Sequence, residues 1–194
     1  HHEQSAVIAA EYYSRVSGKI GVALVTTGPG STNAITGIAG AWLDSIPVLI
    51  LAGQVKTSDL NVGDRLRQRG PQEIDLVSMV AKISKFSMTC LEAKNCVADI
   101  ETGLRKAAQG RPGPVVFEIP LDIQSSIIDS VTGERAEDKK IVQHTVTSKT
   151  HVVTKEIFQA LTAASRPLFL IGNGAKVARV HMQLRSLAES LGIP

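Results

Sequence analysis

Two short motifs near the start of the chain contain the residue types that could do chemistry. The first is His1-His2-Glu3-Gln4, where a carboxylate and imidazoles open an apolar, helix-like stretch. The second is the turn Thr27 to Asn33 (TGPGSTN), which lies between an apolar run and another helix-like stretch. A carboxylate can hold or move a proton. A glycine turn at a helix N-terminus lets backbone N–H groups approach an anion or a polar ring. Together the motifs predict a ligand site at which Glu3 acts on a proton.

The same residues also admit simpler interpretations. His1-His2 fits the end of a purification tag, and Glu3 fits an ordinary acid in a first helical turn, where the helix dipole favours it. His2 fits proton movement beside a ligand and a structural hydrogen bond near the surface about equally. Asn33 fits a first-turn helix residue better than a ligand contact. Glu118 follows a strand pattern, so we interpret it as structural rather than catalytic.

Nucleotide and nucleic-acid sites are disfavoured. The turns at 28–30 and 172–174 both lack the third glycine of the dinucleotide fingerprint, and no Walker lysine pattern occurs. The incomplete fingerprints argue against a nicotinamide-dependent dehydrogenase. Aromatic residues make up only 4% of the chain, so no base-stacking platform is expected. We interpret the arginine cluster at 65–69 as a solvated loop rather than an anion site. No nucleic-acid partner is predicted.

Metal and membrane binding by this chain are not expected. Cys90 and Cys96 lack the spacing and neighbours of a metal site, so a reduced, cytoplasmic protein is the simplest interpretation. The longest apolar stretch, Pro47 to Ala52, is too short to cross a bilayer.

The order of elements predicts an α/β fold, a parallel sheet with helices on both faces. Apolar runs predict strands buried on both faces at 21–27 and 47–53. Further strands are predicted at 82–90, 115–119 and 168–171. Helices are predicted at 5–16, 33–43, 72–80, 97–108, 155–163 and 176–191.

Composition along the chain predicts three segments. Residues 1–124 form one domain, and the polar stretch 125–152 forms a linker. Residues 153–194 start a second α/β unit that is truncated, because one strand cannot find the parallel neighbours it needs within this segment.

Several motifs in order resemble the pyrimidine-binding domain of thiamine diphosphate enzymes of the acetolactate synthase type. The resemblance covers nearly all of residues 1–124, and residues 167–174 look like the start of that family's central domain. The motifs are HEQ at 2–4, TGPGSTN at 27–33, DSIP at 44–47, AGQV at 52–55, QEID at 72–75, GRPGP at 110–114 and IPLDIQ at 119–124.

The resemblance implies a role for each motif residue. Glu3 matches the glutamate that hydrogen-bonds N1′ of the cofactor's aminopyrimidine ring, and burial in a dry pocket is then expected to raise its pKa. Thr27, Gly28, Pro29, Gly30 and Asn33 are expected to bind the same ring. His2 and Gln72 are expected on the substrate side.

The resemblance also implies an activity. The expected parent enzyme decarboxylates a pyruvate-like 2-oxo acid and transfers the two-carbon unit to a second carbonyl. A 2-oxo acid decarboxylase and a non-catalytic binding module on the same fold are alternatives. A homodimer or homotetramer is implied, because this family builds its active site between two subunits.

Three departures from the family pattern limit what this chain is expected to do. The family's opening strand is absent. The domain that holds the diphosphate and Mg²⁺ through a Gly-Asp-Gly motif is also absent, so the isolated chain is expected to be inactive. Pro71 stands where acetolactate synthases have phenylalanine, which argues against true synthase activity as well as against bound FAD.

Overall fold

The computed structural model describes residues 2–61, 63, 66–128 and 148–194. The chain divides into two compact units, residues 1–137 and 138–194. The predicted domain limits at 124 and 153 stay predictions. Most of the predicted linker, residues 129–147, lies outside the described residues, as do His1 and Arg65.

The first unit is built on four parallel strands. They are β1 (Gly21–Val25), β2 (Val48–Gln54), β3 (Phe86–Thr89) and β4 (Val115–Pro120). Their order across the sheet is β1-β2-β4-β3. Val25 pairs with Ala52, and Ala52 pairs with Glu118, so the carboxyl ends of β1, β2 and β4 meet at one edge. The predicted parallel α/β fold is confirmed.

Helices cover both faces of this sheet. They are α1 (Glu3–Ser17), α2 (Pro29–Asn33), α3 (Ile35–Leu43), α4 (Leu76–Val80), α5 (Ala93–Ala108) and α6 (Leu121–Gln124), with a 3-10 turn at Thr57–Asp59. On one face, Val7 of α1, Ile38 of α3 and Leu76 of α4 are fully buried against the strands. On the other, Ala107 of α5 packs with Phe117 of β4. Burial of these apolar side chains is the main force that holds the layers together.

Strand β1 differs from its prediction. Its apolar run suggested burial on both faces, but burial alternates, and Val22 and Leu24 are 56% and 76% exposed. Helix α1 covers one face of β1, whereas α5 contacts β2, β3 and β4 on the other. Because β1 is an edge strand that α5 does not reach, no described helix covers its second apolar face.

Other boundaries shift for local reasons. The predicted helix 72–80 begins only at Leu76, because Gln72 has a left-handed φ of 63° and Asp75 caps the helix by accepting from the Ser78 N–H. The predicted strand 82–90 shortens to Phe86–Thr89, the residues that pair with β4. The predicted helix 33–43 forms as α3 from Ile35, and the short helix α2 precedes it within the predicted turn region.

The second unit contains three helices among its described residues. They are α7 (Ser148–Ala163), α8 (Asn173–Val177) and α9 (His181–Leu191). The predicted helix 176–191 is interrupted at Arg179, whose φ is 57°. The predicted strand 168–171 does not form, and the observed backbone bond there joins the Phe169 N–H to the Pro194 carbonyl at 2.9 Å. A strand needs a ladder of neighbours, and no described residue supplies one.

Candidate functional site

The structure brings Glu3 and Asn33 together. The Glu3 carboxylate, in the first turn of α1, accepts a hydrogen bond from the Asn33 side-chain amide at 3.1 Å. Asn33 is the last residue of α2, so this contact ties together the two motifs found in the sequence. It also gives Asn33 a definite role, to hold the Glu3 side chain in one position.

Gly30 lets the Glu3 carboxylate approach the glycine turn. A Cβ atom added at Gly30 would lie 2.4 Å from Thr26 Cγ2 and 3.2 Å from Glu3 Oε1. The first distance is a steric clash, and the second would push the carboxylate away. Glycine at this position therefore allows a charged side chain and a bare stretch of backbone to form one surface.

In this chain the pKa of Glu3 is lowered, whereas the resemblance implies a raised pKa in a dry cofactor pocket. The hydrogen bond from Asn33, followed by a backbone hydrogen bond, lowers the pKa of Glu3 below its ordinary value. The carboxylate is not sealed in a dry pocket, so desolvation is too weak to raise its pKa.

His2 has a structural role in this arrangement. Its side chain is exposed, and its Nδ1 accepts a hydrogen bond from the Gln4 N–H at 3.2 Å, which makes His2 the N-cap of α1. Of the two interpretations of His2, the capping hydrogen bond is the one that the geometry displays. The substrate-side role of His2 stays a prediction.

The turn at Thr27 and Gly28 lies against Gln72. Gly28 has φ 63° and ψ −128°, a conformation that residues other than glycine rarely adopt. A Cβ atom there would also lie 2.5 Å from the Gln72 carbonyl oxygen. The Thr27 hydroxyl lies 3.4 Å from that same oxygen. The structure therefore places the predicted substrate-side residue Gln72 beside the predicted cofactor turn.

Glu73 holds the loop that carries Gln72. Its carboxylate accepts hydrogen bonds from the backbone N–H groups of Asn61, Arg69 and Gly70. Desolvation acts to raise the pKa of Glu73, but these hydrogen bonds together lower it. The Glu73 carboxylate thus joins Asn61 to Arg69 and Gly70, just ahead of Gln72, whereas Asp122 holds the start of this stretch by accepting from the Thr57 N–H at 3.0 Å.

Two buried polar residues, Gln54 and Glu118, lie behind the turn, and the structural interpretation of Glu118 agrees with its burial and hydrogen bonds. Gln54 was noted only as part of a motif. Gln54 ends β2 and is 5% exposed, and Glu118 of β4 is 2% exposed. The Gln54 amide nitrogen donates to Glu118 Oε1 at 3.0 Å, and the Gln54 amide oxygen accepts from the Thr27 hydroxyl at 3.1 Å. The available signal was that polar residues rarely occur in strands buried on both faces unless they are hydrogen-bonded.

A cleft of about 410 Å³ opens beside Glu3. Its walls combine the N-terminal turn of α1 with the uncovered side of β1, and it does not include Gly28, Gly30 or Gln72. The lining residues are His2, Glu3, Ser5, Ala6, Leu24, Val25 and Thr26. The cleft is mixed in character, with Ala6, Leu24 and Val25 beside the polar residues His2, Glu3, Ser5 and Thr26.

Among the residues described, no group of three His, Cys, Asp or Glu side chains could hold a metal ion. No helix within the described ranges is long and apolar enough to cross a membrane.

Comparison with known proteins identifies the class. Residues 1–79 match the family described as thiamine pyrophosphate enzyme, N-terminal TPP binding domain. This match confirms the resemblance inferred from the motifs.

The relatives narrow the class further, and they show that the chain is acetolactate synthase-like. It is 35% identical over 193 residues to acetolactate synthase from Arthrospira platensis. It is 37% identical over 195 residues to the acetolactate synthase isozyme 3 large subunit of Escherichia coli K12. It is 33% identical over 193 residues to the large subunit from Lactococcus lactis. Each comparison covers all of this chain but only 32%, 33% and 32% of the relative, so the chain spans about a third of these proteins.

The residues present fit the pyrimidine end of thiamine diphosphate. Glu3 supplies a carboxylate for a ring nitrogen, and the lack of a side chain at Gly30 lets that carboxylate lie against the turn, because a Cβ there would clash with Thr26 and crowd Glu3. Asn33 fixes the carboxylate. No fit to the diphosphate or to Mg²⁺ can be assigned to the residues that the structure describes.

Proposed function

We propose that a full-length protein carrying this chain is a thiamine diphosphate-dependent enzyme that acts on a 2-oxo acid such as pyruvate. It would remove CO2 and transfer the remaining two-carbon unit to a second carbonyl compound. The observation that carries the proposal is the position of the Glu3 carboxylate, held by Asn33 against the bare backbone of Gly30. When bound, thiamine diphosphate supplies the thiazolium carbon that attacks the keto group.

In this proposal the five residues of the site, Glu3, Gly28, Gly30, Asn33 and Gln72, each have a defined task. Glu3 holds a proton at the ring nitrogen of the cofactor's pyrimidine. Asn33 keeps the carboxylate in place by its hydrogen bond. The backbone at Gly28 and Gly30 would bind the ring, and Gln72, which lies beside the turn, would contact the substrate. Closure of the cleft around a ring would remove water from Glu3 and so raise its pKa from the low value of the open chain.

The test is Glu3→Gln in the full-length protein. Glutamine keeps the shape of the Glu3 side chain but cannot hold or release the proton. We therefore expect kcat with pyruvate to fall by about a hundredfold or more, as is typical when a group that moves a proton is lost. Glu92→Gln is the matched control, because Glu92 is exposed at the start of α5 and contacts only Lys94 and Asn95. Near-normal turnover in Glu3→Gln would refute the role of Glu3.

Product analysis decides between the two chemistries of the family. An acetohydroxy acid formed from pyruvate supports carboligation. Free acetaldehyde as the main product would replace the synthase by a plain decarboxylase. Failure to bind thiamine diphosphate in the full-length protein would favour a non-catalytic module.

We further propose that the full-length protein is a homodimer or homotetramer. The support is the family's two-subunit site, together with the uncovered apolar face of β1, where Val22 and Leu24 are exposed. Sedimentation analysis of the full-length protein measures its mass in solution. A monomer that is fully active would contradict this assembly.

A further inference from the structure

A chain of buried hydrogen bonds leads from β4 to the glycine turn. Glu118 Oε1 accepts from the Gln54 side-chain amide at 3.0 Å and from the Leu76 backbone N–H at 3.1 Å. Glu118 Oε2 accepts from the Thr89 hydroxyl at 2.8 Å. One carboxyl group thus joins β2, β4, the start of α4 and the end of β3. A carboxyl used this fully has little freedom to rotate.

Every hydrogen-bonding position of the Gln54 amide is occupied. Its nitrogen donates one hydrogen to Glu118 and the other to the Ile74 carbonyl at 2.8 Å. Its oxygen accepts from the Val55 N–H at 2.9 Å and from the Thr27 hydroxyl at 3.1 Å. The amide can make four hydrogen bonds and makes all four, so only one orientation satisfies its partners. Loss of the Glu118 acceptor would leave a buried N–H unpaired.

The Thr27 hydroxyl is the last member of this chain, and it directly precedes Gly28. A hydroxyl has a single hydrogen, and the Gln54 oxygen at 3.1 Å is a nearer acceptor for it than the Gln72 carbonyl at 3.4 Å. The Gly28 backbone is held in an unusual conformation that lacks a side-chain cap. The Gly28 carbonyl accepts from the Ser31 hydroxyl at 2.8 Å and from the Thr32 N–H at 3.1 Å, which hold the helix side of the turn. The hydrogen bond between Thr27 and Gln54 holds the strand side.

We propose that Glu118 is a positioning residue for the cofactor turn, acting through Gln54 on Thr27 and so on the backbone of Gly28. The proposal rests on the proposed function for its link to thiamine diphosphate, but the positioning itself is a property of this chain alone. Burial raises the pKa of the Glu118 carboxyl, with the nearby Asp75 charge acting in the same direction. The hydrogen bonds from Thr89, Leu76 and Gln54 act against this rise.

The variants follow from the geometry. Glu118→Gln keeps an oxygen for Gln54 and Leu76 and turns its NH2 group toward the Thr89 hydroxyl, which can accept instead of donate. Glu118→Leu removes the acceptor. Val116→Ala is the matched control. Val116 is fully buried on the same face of β4, two residues from Glu118, so its truncation destabilises the core but leaves the Gln54 hydrogen bonds in place. Thr89→Val is a milder second variant, because it removes only the hydrogen bond that Glu118 Oε2 accepts.

The first measurement is NMR spectroscopy of the labelled 194-residue chain without cofactor. In Glu118→Leu we expect shifted amide signals for Thr27 and Gly28 and at least tenfold faster exchange of the Gln54 side-chain NH2 protons. Thr89→Val should shift the same signals less, and it provides the test if Glu118→Leu does not fold. Glu118→Gln and Val116→Ala should leave them near their wild-type positions. Equal changes in Val116→Ala and the two disruptive variants would overturn the positioning role.

The second measurement is the apparent KM for thiamine diphosphate in the full-length protein. Glu118→Leu should raise this KM by about tenfold, the ratio that corresponds to the loss of one hydrogen bond, with rescue in Glu118→Gln. A turn that moves in the NMR spectra while this KM stays unchanged would overturn the placement of the cofactor at Gly28. An unmoved turn would overturn the positioning role itself, whatever the enzyme does.

Discussion

At the scale of single residues, the same chemical group behaves in opposite ways at two places. Glu3 is partly exposed and hydrogen-bonded to Asn33, which lowers its pKa. Glu118 is buried, and desolvation raises its pKa in spite of several hydrogen bonds. Position in the fold, rather than residue type, therefore decides which carboxyl holds its proton longer. Either state is useful in a site that handles protons.

We expect Asn33→Ala to raise the pKa of Glu3, because the Asn33 amide is the main cause of its lowering. Carbon-13 NMR titration of the Glu3 carboxyl in the 194-residue chain measures the change. A lowered pKa contributes stability above the unfolded-state value, and this contribution is lost as the pH falls through the folded-state value. Asn33→Ala should remove that contribution.

Thr32→Ala is the control for this measurement, because the Thr32 hydroxyl contacts only the Pro29 carbonyl and not Glu3. A Glu3 pKa that is unchanged in Asn33→Ala, or that moves equally in both variants, would contradict the assigned contact.

At the scale of elements, α3 uses two glycines for different reasons. A Cβ at Gly37 would lie 2.7 Å and 2.8 Å from atoms of the Val7 side chain, whereas a Cβ at Gly40 would meet only Glu11 Oε2, at 3.6 Å. Val7 is fully buried in α1, so it has little room to move. Gly37 therefore sets how closely α1 and α3 approach. Since Glu3 lies on α1, the same packing helps to place the carboxylate.

We expect Gly37→Ala to lower the free energy of unfolding by about 1 kcal/mol or more, since overpacking costs ~1–3 kcal/mol and better helix propensity returns less than that. Gly40→Ala should raise it by ~0.5–1 kcal/mol, because only the propensity gain applies. Urea unfolding followed by the fluorescence of Trp42, the only tryptophan, measures both. Equal effects at the two positions would show that Val7 does not restrict α3.

At the scale of the whole molecule, Glu118 makes stability depend on pH. Its folded-state pKa is raised, so the folded protein binds its proton more tightly than the unfolded chain does. Stability from this group is complete below the unfolded value, about 4.3, and decreases as the pH rises toward the folded value. Glu73 and Asp122 have lowered pKa values and act in the opposite sense, losing their contribution as the pH falls.

We expect the stability difference between Glu118→Gln and the parent chain to move in favour of the variant as the pH rises from about 4 to 8, because the amide has no proton to lose. Urea unfolding at several pH values measures this difference, in which the contributions of Glu73 and Asp122 cancel. A difference that does not change with pH would show that Glu118 titrates alike in the folded and unfolded chain.

Much of the fold followed from local patterns. Apolar runs bounded by proline or glycine predicted β2 and β4 close to their final positions, because strands inside a parallel sheet are mostly apolar on both sides. The exposed side of β1 could not be predicted, since exposure depends on how far α5 extends over the sheet. The strand expected at 168–171 failed for a similar reason, because a strand exists only where a neighbour pairs with it.

The sequence by itself determined the motif residues and their order, which identified the family and made Glu3 the central carboxylate. It did so through the resemblance of the ordered motifs to those of thiamine diphosphate enzymes. Only the tertiary structure decided which side chains meet. It placed Asn33 on Glu3, Gln72 on Gly28, and Glu118 behind Gln54 and Thr27. These partners are far apart in the chain, and their contact depends on strand register and helix packing, which no local pattern encodes.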